Sequence, residues 1–512
     1  MSTAQAGTAA GGDSASTIST FAGTGTAGVP KGGKESARSA QLNGPYGVAV
    51  DRDGTVYISE YSGHRIRKVT TDGQISTVAG TGSAGRGAEG VPAVSAPLHT
   101  PRGLLVDSAG DLYIADSGNN RIRKITMADG KIHTVAGTGT ATYGGDGLSA
   151  TAAHLNHPMG LAVDSVGDLY IADYNNHRIR KITTADGKIH TVAGTSTAGL
   201  SPDGTLATAA QLRNPTAVAV DSAGDLYIAD HANHRVRKVT KADQKISTVA
   251  GTGATTYGGD GGQAASAPLY SPMAVVVDSA DTLYIADTNN HRVRKVAADG
   301  TISTVAGTST PGPDGDGGPA VKAQLKSPHG LAVDCVDNLY IADYANHRVR
   351  KVASARMTGL PESGTVVSWA NVRSKLRLAV VRESTADGAE VHQTLTAPRD
   401  HQRWRLVVAG QEDGEVLYRI ENLRSGKVME VVGAQERWGA VIAQRAYEGA
   451  DAHHQQWRLI PVGSVTDTPR TFEIVNRNSG LLLRVDTNAR AVIRQDAAEG
   501  DHRARQWQLL PV

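Results

Sequence analysis

The sequence predicts an all-β protein in two parts: a closed six-bladed β-propeller, then a smaller β domain with three-fold repetition. Three observations predict it. A stretch typified by GDLYIADYNNHRIRKI, Gly167 to Ile182, recurs in six near-copies, beginning at Val56, Leu112, Leu169, Leu226, Leu283 and Leu339. Each copy lies a fixed distance behind a proline, and these prolines (Pro45, Pro101, Pro158, Pro215, Pro272, Pro328) are 56, 57, 57, 57 and 56 residues apart. Beyond residue 360 this period stops, and a second one of about 50 residues begins, with a Trp-bearing strand in each copy. Periods of this length are the mark of repeat architectures.

One repeat, taken in order, explains the class. After Pro158 come GLAVD, DLYIAD, RIRKI and KIHTVAG, four short β-branched and aliphatic runs divided by Gly, Asp and Asn clusters. None has helical length or a 3.6-residue period, so each reads as a strand. Gly167 can supply the positive φ of a tight hairpin, and the Asn pair of YNNH tolerates left-handed backbone. Four antiparallel strands repeated radially make a propeller blade.

The ends of the array show how it closes. The fourth-strand motif begins at Ile18, Ile75, Ile132, Ile189, Ile246 and Ile302. Its first copy, ISTFAG, precedes any complete blade, and the last blade reaches HRVRKV with no fourth strand after it. An N-terminal strand, Ile18–Ala22, therefore closes the last blade and removes the open edge of the array. The expected divisions are 1–356 for the propeller, 357–364 for a linker and 365–512 for the second domain. Composition agrees with that division. All five Trp lie beyond residue 360, and 13 of the 15 Tyr lie before it.

Charge and cysteine usage narrow the partners. A chain of 512 residues with a net charge of +2 carries no basic half or arm, so no nucleic-acid partner is expected. Cys335 is the only cysteine, which excludes an intramolecular disulfide and a cysteine-based metal site. It stands in VDCVD where sister repeats have Ser or Arg, and reads as a passive thiol. The N-terminus lacks the basic start and apolar run of a secretion signal, and no stretch approaches the ~20 apolar residues of a membrane span. A soluble, cytoplasmic protein without a membrane partner is the expectation.

The conspicuous polar residues are the repeated ones. Asp116, Asp173, Asp230, Asp287 and Asp343 each precede, by five positions, Arg121, Arg178, Arg235, Arg292 and Arg348. Residues identical in every blade are spread around a ring, so these sets read as inter-strand ion pairs. The GDG segments at Gly145–Gly147, Gly259–Gly261 and Gly315–Gly317 lack the spacing of a calcium or phosphate loop and read as turns. Function is sought where the copies differ. After the anchor Pro stand Tyr46, Arg102, Met159, Thr216, Met273 and His329; before it, Gly44, Thr100, His157, Asn214, Ser271 and Ser327. From these, Tyr46, Arg102, His157, Met159, Asn214, Met273 and His329 are candidate rim residues of the channel. His157 and His329 fall in blades three apart, but no partner carboxylate accompanies them. No metal, cofactor or catalytic residue is expected.

These six copies of a PxGLAVDxxGDLYIADxxNxRIRKI pattern, with linking segments such as YGGDGLSATAAHLNHP, resemble the NHL repeat family over the whole first part. The resemblance implies a six-bladed propeller used mostly as an interaction surface and occasionally as an enzyme. In the second part WANVRSKLRLAV, IENLRSGKVMEV and IVNRNSGLLLRV align, and each is followed by a Trp strand holding Trp404, Trp457 or Trp507. With the QxW pairs Gln402–Trp404 and Gln455–Trp457, and Arg505 in place of the third Gln, this part resembles the ricin B-type lectin family, a β-trefoil. That resemblance implies one sugar pocket per repeat. The acidic position holds Ala379, Glu430 and Arg484 in turn, and the amide position Gln393, Gln444 and, with a one-residue shift, Gln495. Only repeat two keeps the set, as Glu430, Gln444, Tyr447, His454 and Gln455, with Glu where the family usually has Asp.

The expected function is non-enzymatic binding. The trefoil recognises a glycan or polysaccharide, and the propeller is a scaffold for a protein or other ligand. The alternatives are a propeller lyase or hydrolase with the trefoil as targeting module, or a scaffold subunit of a larger assembly. A lectin-like domain also implies an extracellular ligand, against the absence of a visible export signal.

Overall fold

A computed structural model describes residues 16–29, 35–51, 54–70, 73–278, 281–334 and 337–353 of the first part. In the second it describes 366–371, 377–380, 384–394, 402–412, 415–432, 441–448, 453–462, 470–477, 481–484, 494–496 and 506–511. Cys335, the linker, Trp438 and Arg505 lie outside the described residues, as do the side chains of Gln393, Arg484 and Gln495. The chain folds into two compact units, Met1–Ser354 and Ala355–Val512.

The first unit is a ring of six antiparallel sheets. Blade three shows the plan: Pro158–Val163 innermost, then Leu169–Asp173, Arg178–Ile182 and Ile189–Ala193. In the last blade the outer place is taken by Ile18–Ala22, paired antiparallel with Arg348–Val352. Ile18 faces Val352, and Ile18 and Ala22 are both fully buried. The chain start thus closes the ring, as the displaced ISTFAG copy predicts.

The packing explains why the second strands read LYIAD without alternation. Each blade is sandwiched between two neighbours, so both of its faces are covered. Apolar clusters fill the joints between blades. One joins Ala332, Tyr340 and Val349 of the last blade to Val48, Val56 and Ile58 of the first. Innermost strands also approach closely at the second residue after the anchor Pro. A Cβ on Gly330 would collide with the Tyr46 carbonyl oxygen, across the same closing joint.

Two local details depart from the sequence reading. The left-handed residue of YNNH is His177, with φ 54°, and Asn176 belongs to the preceding 3-10 turn, Tyr174–Asn176. The buried ion pairs also use different arginines. Asp173 lies opposite Arg178 in backbone register, but its carboxylate pairs with Arg180, 3.4 Å away. Asp287 and Asp343 likewise meet Arg294 and Arg350, each at 3.6 Å. The first arginine is engaged elsewhere. Arg178 turns its guanidinium onto the Tyr143 ring, 3.9 Å from the centroid, and donates to the Gly194 carbonyl. Arg180, wholly buried, reaches back to Asp173 instead.

The second unit is also all-β among its described residues. Six strands (Val366–Asn371, Trp404–Glu412, Glu415–Asn422, Trp457–Val462, Arg470–Asn476, Gln506–Pro511) pair in sequence order, and the last returns to the first. Three strand pairs complete it: Arg377–Val380 with Ala389–Thr394, Val428–Val431 with Ile442–Arg445, and Leu482–Arg484 with Arg494–Asp496. A closed six-stranded barrel with three hairpins is the β-trefoil arrangement. Its three-fold origin shows in the core. The indole N–H groups of Trp404, Trp457 and Trp507 donate to the carbonyls of Leu378, Met429 and Leu483, at 3.2, 2.9 and 3.1 Å. Each buried indole thus satisfies its one donor in the same way.

Candidate functional site

The repeated polar residues form the frame that holds the channel mouth. In blade three Asp173 Oδ1 accepts the Asn156 backbone N–H, two residues before the anchor Pro, at 2.8 Å. Its Oδ2 accepts Asn176 Nδ2 at 2.8 Å and Arg180 Nη1 at 3.4 Å. Asp116, Asp230 and Asp343 make the same bond to the backbone before Pro and the same bond to Asn. Burial outweighs these partners and raises the carboxyls of Asp116, Asp173, Asp230 and Asp343 to about 6. The GDG aspartates anchor the far ends of the arginines: Arg294 pairs with Asp260 and Arg350 with Asp316, both at 2.6 Å. Gly145 and Gly147 take positive φ, so the glycines do make turns, while the Asp between them holds Arg180.

Six of the seven candidate rim residues converge on the mouth of the channel. A cavity of about 400 Å³ opens there. Tyr46, Arg102, His157, Met159, Met273 and His329, expected on the rim, all line it. Asn214 does not. Its backbone N–H bonds His177 Nδ1 at 3.2 Å and its side chain bonds the Tyr174 carbonyl, so it serves the joint between blades.

The structure adds lining residues that the sequence reading missed: Tyr61, Tyr174, Asn175, His231 and Tyr344. Four of them occupy one repeat position, directly after the YIAD aspartate (Glu60 in the first blade). That position reads Tyr, Ser, Tyr, His, Thr, Tyr around the ring, so the same search for disagreement among copies finds it. It was hidden because the residue lies just past a strand, in a turn (3-10 at Tyr174, His231 and Tyr344) whose direction the strand pattern does not record.

The mouth is aromatic on one side and mixed on the other. His329 stacks on Tyr344 and Tyr46, with ring centroids 4.3 and 4.8 Å apart. The Arg102 guanidinium lies over both Tyr46 and Tyr61, 5.4 and 5.3 Å from their centroids. Met159, Met273 and Tyr174 face them around the cavity. Several polar atoms are buried without a partner among the described residues: the Tyr46 hydroxyl, Arg102 Nε and His157 Nδ1. His329 Nδ1 lies 2.8 Å from the Ser327 carbonyl, so that nitrogen carries the proton and Nε2 is left as acceptor. Burial, aided by Arg102 and His231, lowers its imidazole to about 4. Burial also lowers His157 and His231 and raises the Tyr46 phenol. Among the described residues no Asp or Glu lines the cavity. No group of three His, Cys, Asp or Glu is placed to hold a metal ion among the described residues.

In the trefoil, Glu430, His454 and Gln455 come together. Glu430 is 1% exposed, and its Oε1 accepts Arg445 Nε at 2.8 Å. Its Oε2 lies 3.3 Å from Gln455 Nε2 and 3.5 Å from His454 Nε2. Gln455 also bonds the Ala446 carbonyl and the Glu448 N–H, pinning the segment that carries Tyr447 from both ends. The Tyr447 ring packs under Arg419, 4.6 Å from its guanidinium carbon. Gln444 is turned elsewhere. Its amide N–H₂ donates to the carbonyls of Ser384 and Ala386, and its oxygen accepts Ser425 Oγ at 2.7 Å. It ties repeat one to repeat two.

The profile of the teneurin NHL domain matches residues 8–87 and 138–354, more than half of the chain, and that of the NHL repeat matches 98–125. The profile described as ricin-type beta-trefoil lectin domain-like matches residues 356–445. Teneurin-1 of Gallus gallus is 30% identical over 355 residues, which is 62% of this chain and 13% of that protein. NHL repeat-containing protein 2 of Homo sapiens is 26% identical over 283 residues, 49% of this chain and 39% of that protein. The chain thus spans well under half the length of these curated relatives. A solved structure of a protein of unknown function from Bacteroides thetaiotaomicron has a TM-score of 0.50 at 19% identity, covering 66% of this chain and 76% of its own, and shows the fold alone. The repeated frame, the ring closed by its first strand and the match over more than half the length place the chain in the teneurin NHL domain family, joined to a ricin-type trefoil lectin-like domain.

Proposed function

We propose that this is a non-enzymatic binding protein that recognises carbohydrate through repeat two of its trefoil, with the propeller mouth as a second interaction surface. The coupling of an NHL propeller to a lectin-like trefoil is that of a binding scaffold. The observation that carries the finer reading is the cluster around Glu430. A carboxylate has about four acceptor sites, but Glu430 is 1% exposed, so a sugar hydroxyl reaches it in place of Arg445 or His454, the partners at the surface. His454, 18% exposed, stands at the edge of the cluster, and Tyr447 offers a ring for the C–H face of a sugar. Sugars are held by this combination of charged acceptor and flat apolar surface.

Glycan arrays and insoluble polysaccharides, probed with the full chain, test the reading. Binding that disappears in a Glu430→Ala, Tyr447→Ala double variant supports it. A blank across broad arrays, or binding that survives the double variant, rejects the site.

A further inference from the structure

The propeller mouth is specified closely enough to define its ligand. Arg102 is its only permanent charge among the described residues, and no carboxylate among them pairs with it. Its guanidinium is held in place by stacking on Tyr46 and Tyr61, and its Nε is buried without a bond. A half-buried cation with an unbonded Nε calls for an anion, and a planar fork suits a carboxylate. Near neutral pH the three mouth histidines supply hydrogen bonds and no charge. One positive charge in a partly buried site is balanced by a monoanion, whereas a dianion would leave charge uncompensated.

The remainder of the cavity is flat and apolar. Tyr344 and Tyr174 provide faces and edges, and Met159 and Met273 provide polarisable thioethers that favour aromatic contacts. A space of about 400 Å³ is within the roughly 300–1,000 Å³ of small-molecule sites. The Tyr46 hydroxyl, buried and unpartnered, gives a second polar point. We infer that the channel mouth binds a small aromatic monocarboxylate, its carboxylate on Arg102 and its ring between the tyrosines and methionines. This rests on the mouth being a binding surface and is independent of sugar binding by the trefoil.

Calorimetric titration of the full chain at neutral pH with 2-naphthoate tests it, beside the uncharged 2-naphthamide and inorganic phosphate. Naphthoate should bind at least tenfold more tightly than either. Arg102→Gln should abolish that preference, and Arg102→Lys should keep part of it, with circular dichroism confirming folded protein in both. Tyr46→Phe, which keeps the ring and removes the hydroxyl, should weaken naphthoate severalfold. Glu430→Ala should leave naphthoate binding unchanged, which separates failure of the trefoil site from failure of this one. Equal binding of naphthoate and naphthamide, tighter binding of phosphate, no binding of any probe, or an unchanged preference in Arg102→Gln would each overturn the inference.

Discussion

His177 Nδ1 accepts a hydrogen bond from the backbone N–H of Asn214, 3.2 Å away, across the joint between two blades. Both residues have φ of 54°. The same clasp joins His64 to Thr100, His234 to Ser271, His291 to Ser327, and His347 to Gly44 where the ring closes. In the remaining joint Asn120 Oδ1 takes the place of the imidazole and accepts the His157 N–H at 2.9 Å. The residue before each anchor Pro varies because it contributes its backbone.

That substitution within the ring predicts how the clasp tolerates change. His177→Asn should keep the acceptor and the left-handed backbone that Asn tolerates, and leave stability nearly unchanged. His177→Ala removes the acceptor and places a less suitable residue at positive φ. It should lose about 1–2 kcal/mol, read by denaturant unfolding.

The clasps also make the propeller acid-sensitive. An imidazole that accepts through Nδ1 while neutral loses the bond on protonation, and burial holds all five below the usual 6.5. A folded value below the unfolded one gives stability that is full above 6.5 and is lost as pH falls through the folded value. Asp116, Asp173, Asp230 and Asp343, four of the five buried aspartates that end the second strands, act oppositely. Raised from 3.8 to about 6, they favour the fold at low pH and withdraw that contribution as pH rises from 3.8 through 6. Replacing all five clasp histidines with Asn should remove their share of the first effect, leaving that of the mouth histidines His157, His231 and His329 beside the second. Between about pH 7 and pH 5 the variant should gain stability relative to the parent. Parallel pH profiles would show that the clasps do not titrate.

Arg180 should prove more costly to remove than Arg178. Arg180→Met strands the buried Asp173 carboxylate and should cost about 3–5 kcal/mol near neutral pH. The loss should shrink near pH 5, where Asp173, already raised to about 6, takes up a proton. Arg178→Met gives up a carbonyl bond and a half-exposed stack on Tyr143, for a loss nearer 1 kcal/mol. Unfolding of both variants at the two pH values checks the order.

Ile18 lies at the chain start yet is wholly buried in the last blade. Ile18→Ala should cost about 2–5 kcal/mol, as for a core position. Hydrogen exchange should accelerate along Arg348–Val352, its pairing partner, before it does in the other blades.

Gln444 should behave as a structural residue. Gln444→Ala leaves the Ser384 and Ala386 carbonyls and the Ser425 hydroxyl without their amide. It should lower the melting temperature of the trefoil unit, with a loss of about 1–3 kcal/mol. A change in glycan affinity with unchanged stability would contradict this.

The sequence by itself determined the frame. Spacing of the anchor prolines set the number of blades, and the displaced ISTFAG copy set how they close, because strand count and pairing are recorded in local patterns. It also marked the mouth in part, since Tyr46, Arg102 and His329 differ among copies that otherwise agree. Tertiary structure decided which side chains meet. Arg180, not Arg178, reaches Asp173, while Arg178 lies over Tyr143. Gln444 turns toward repeat one because carbonyls wait there. Tyr61, Tyr344 and His231 enter the mouth because the turn after the second strand, 3-10 at Tyr344 and His231, redirects the chain there. Such choices depend on competition among neighbours distant in the chain, and no period in the sequence records them.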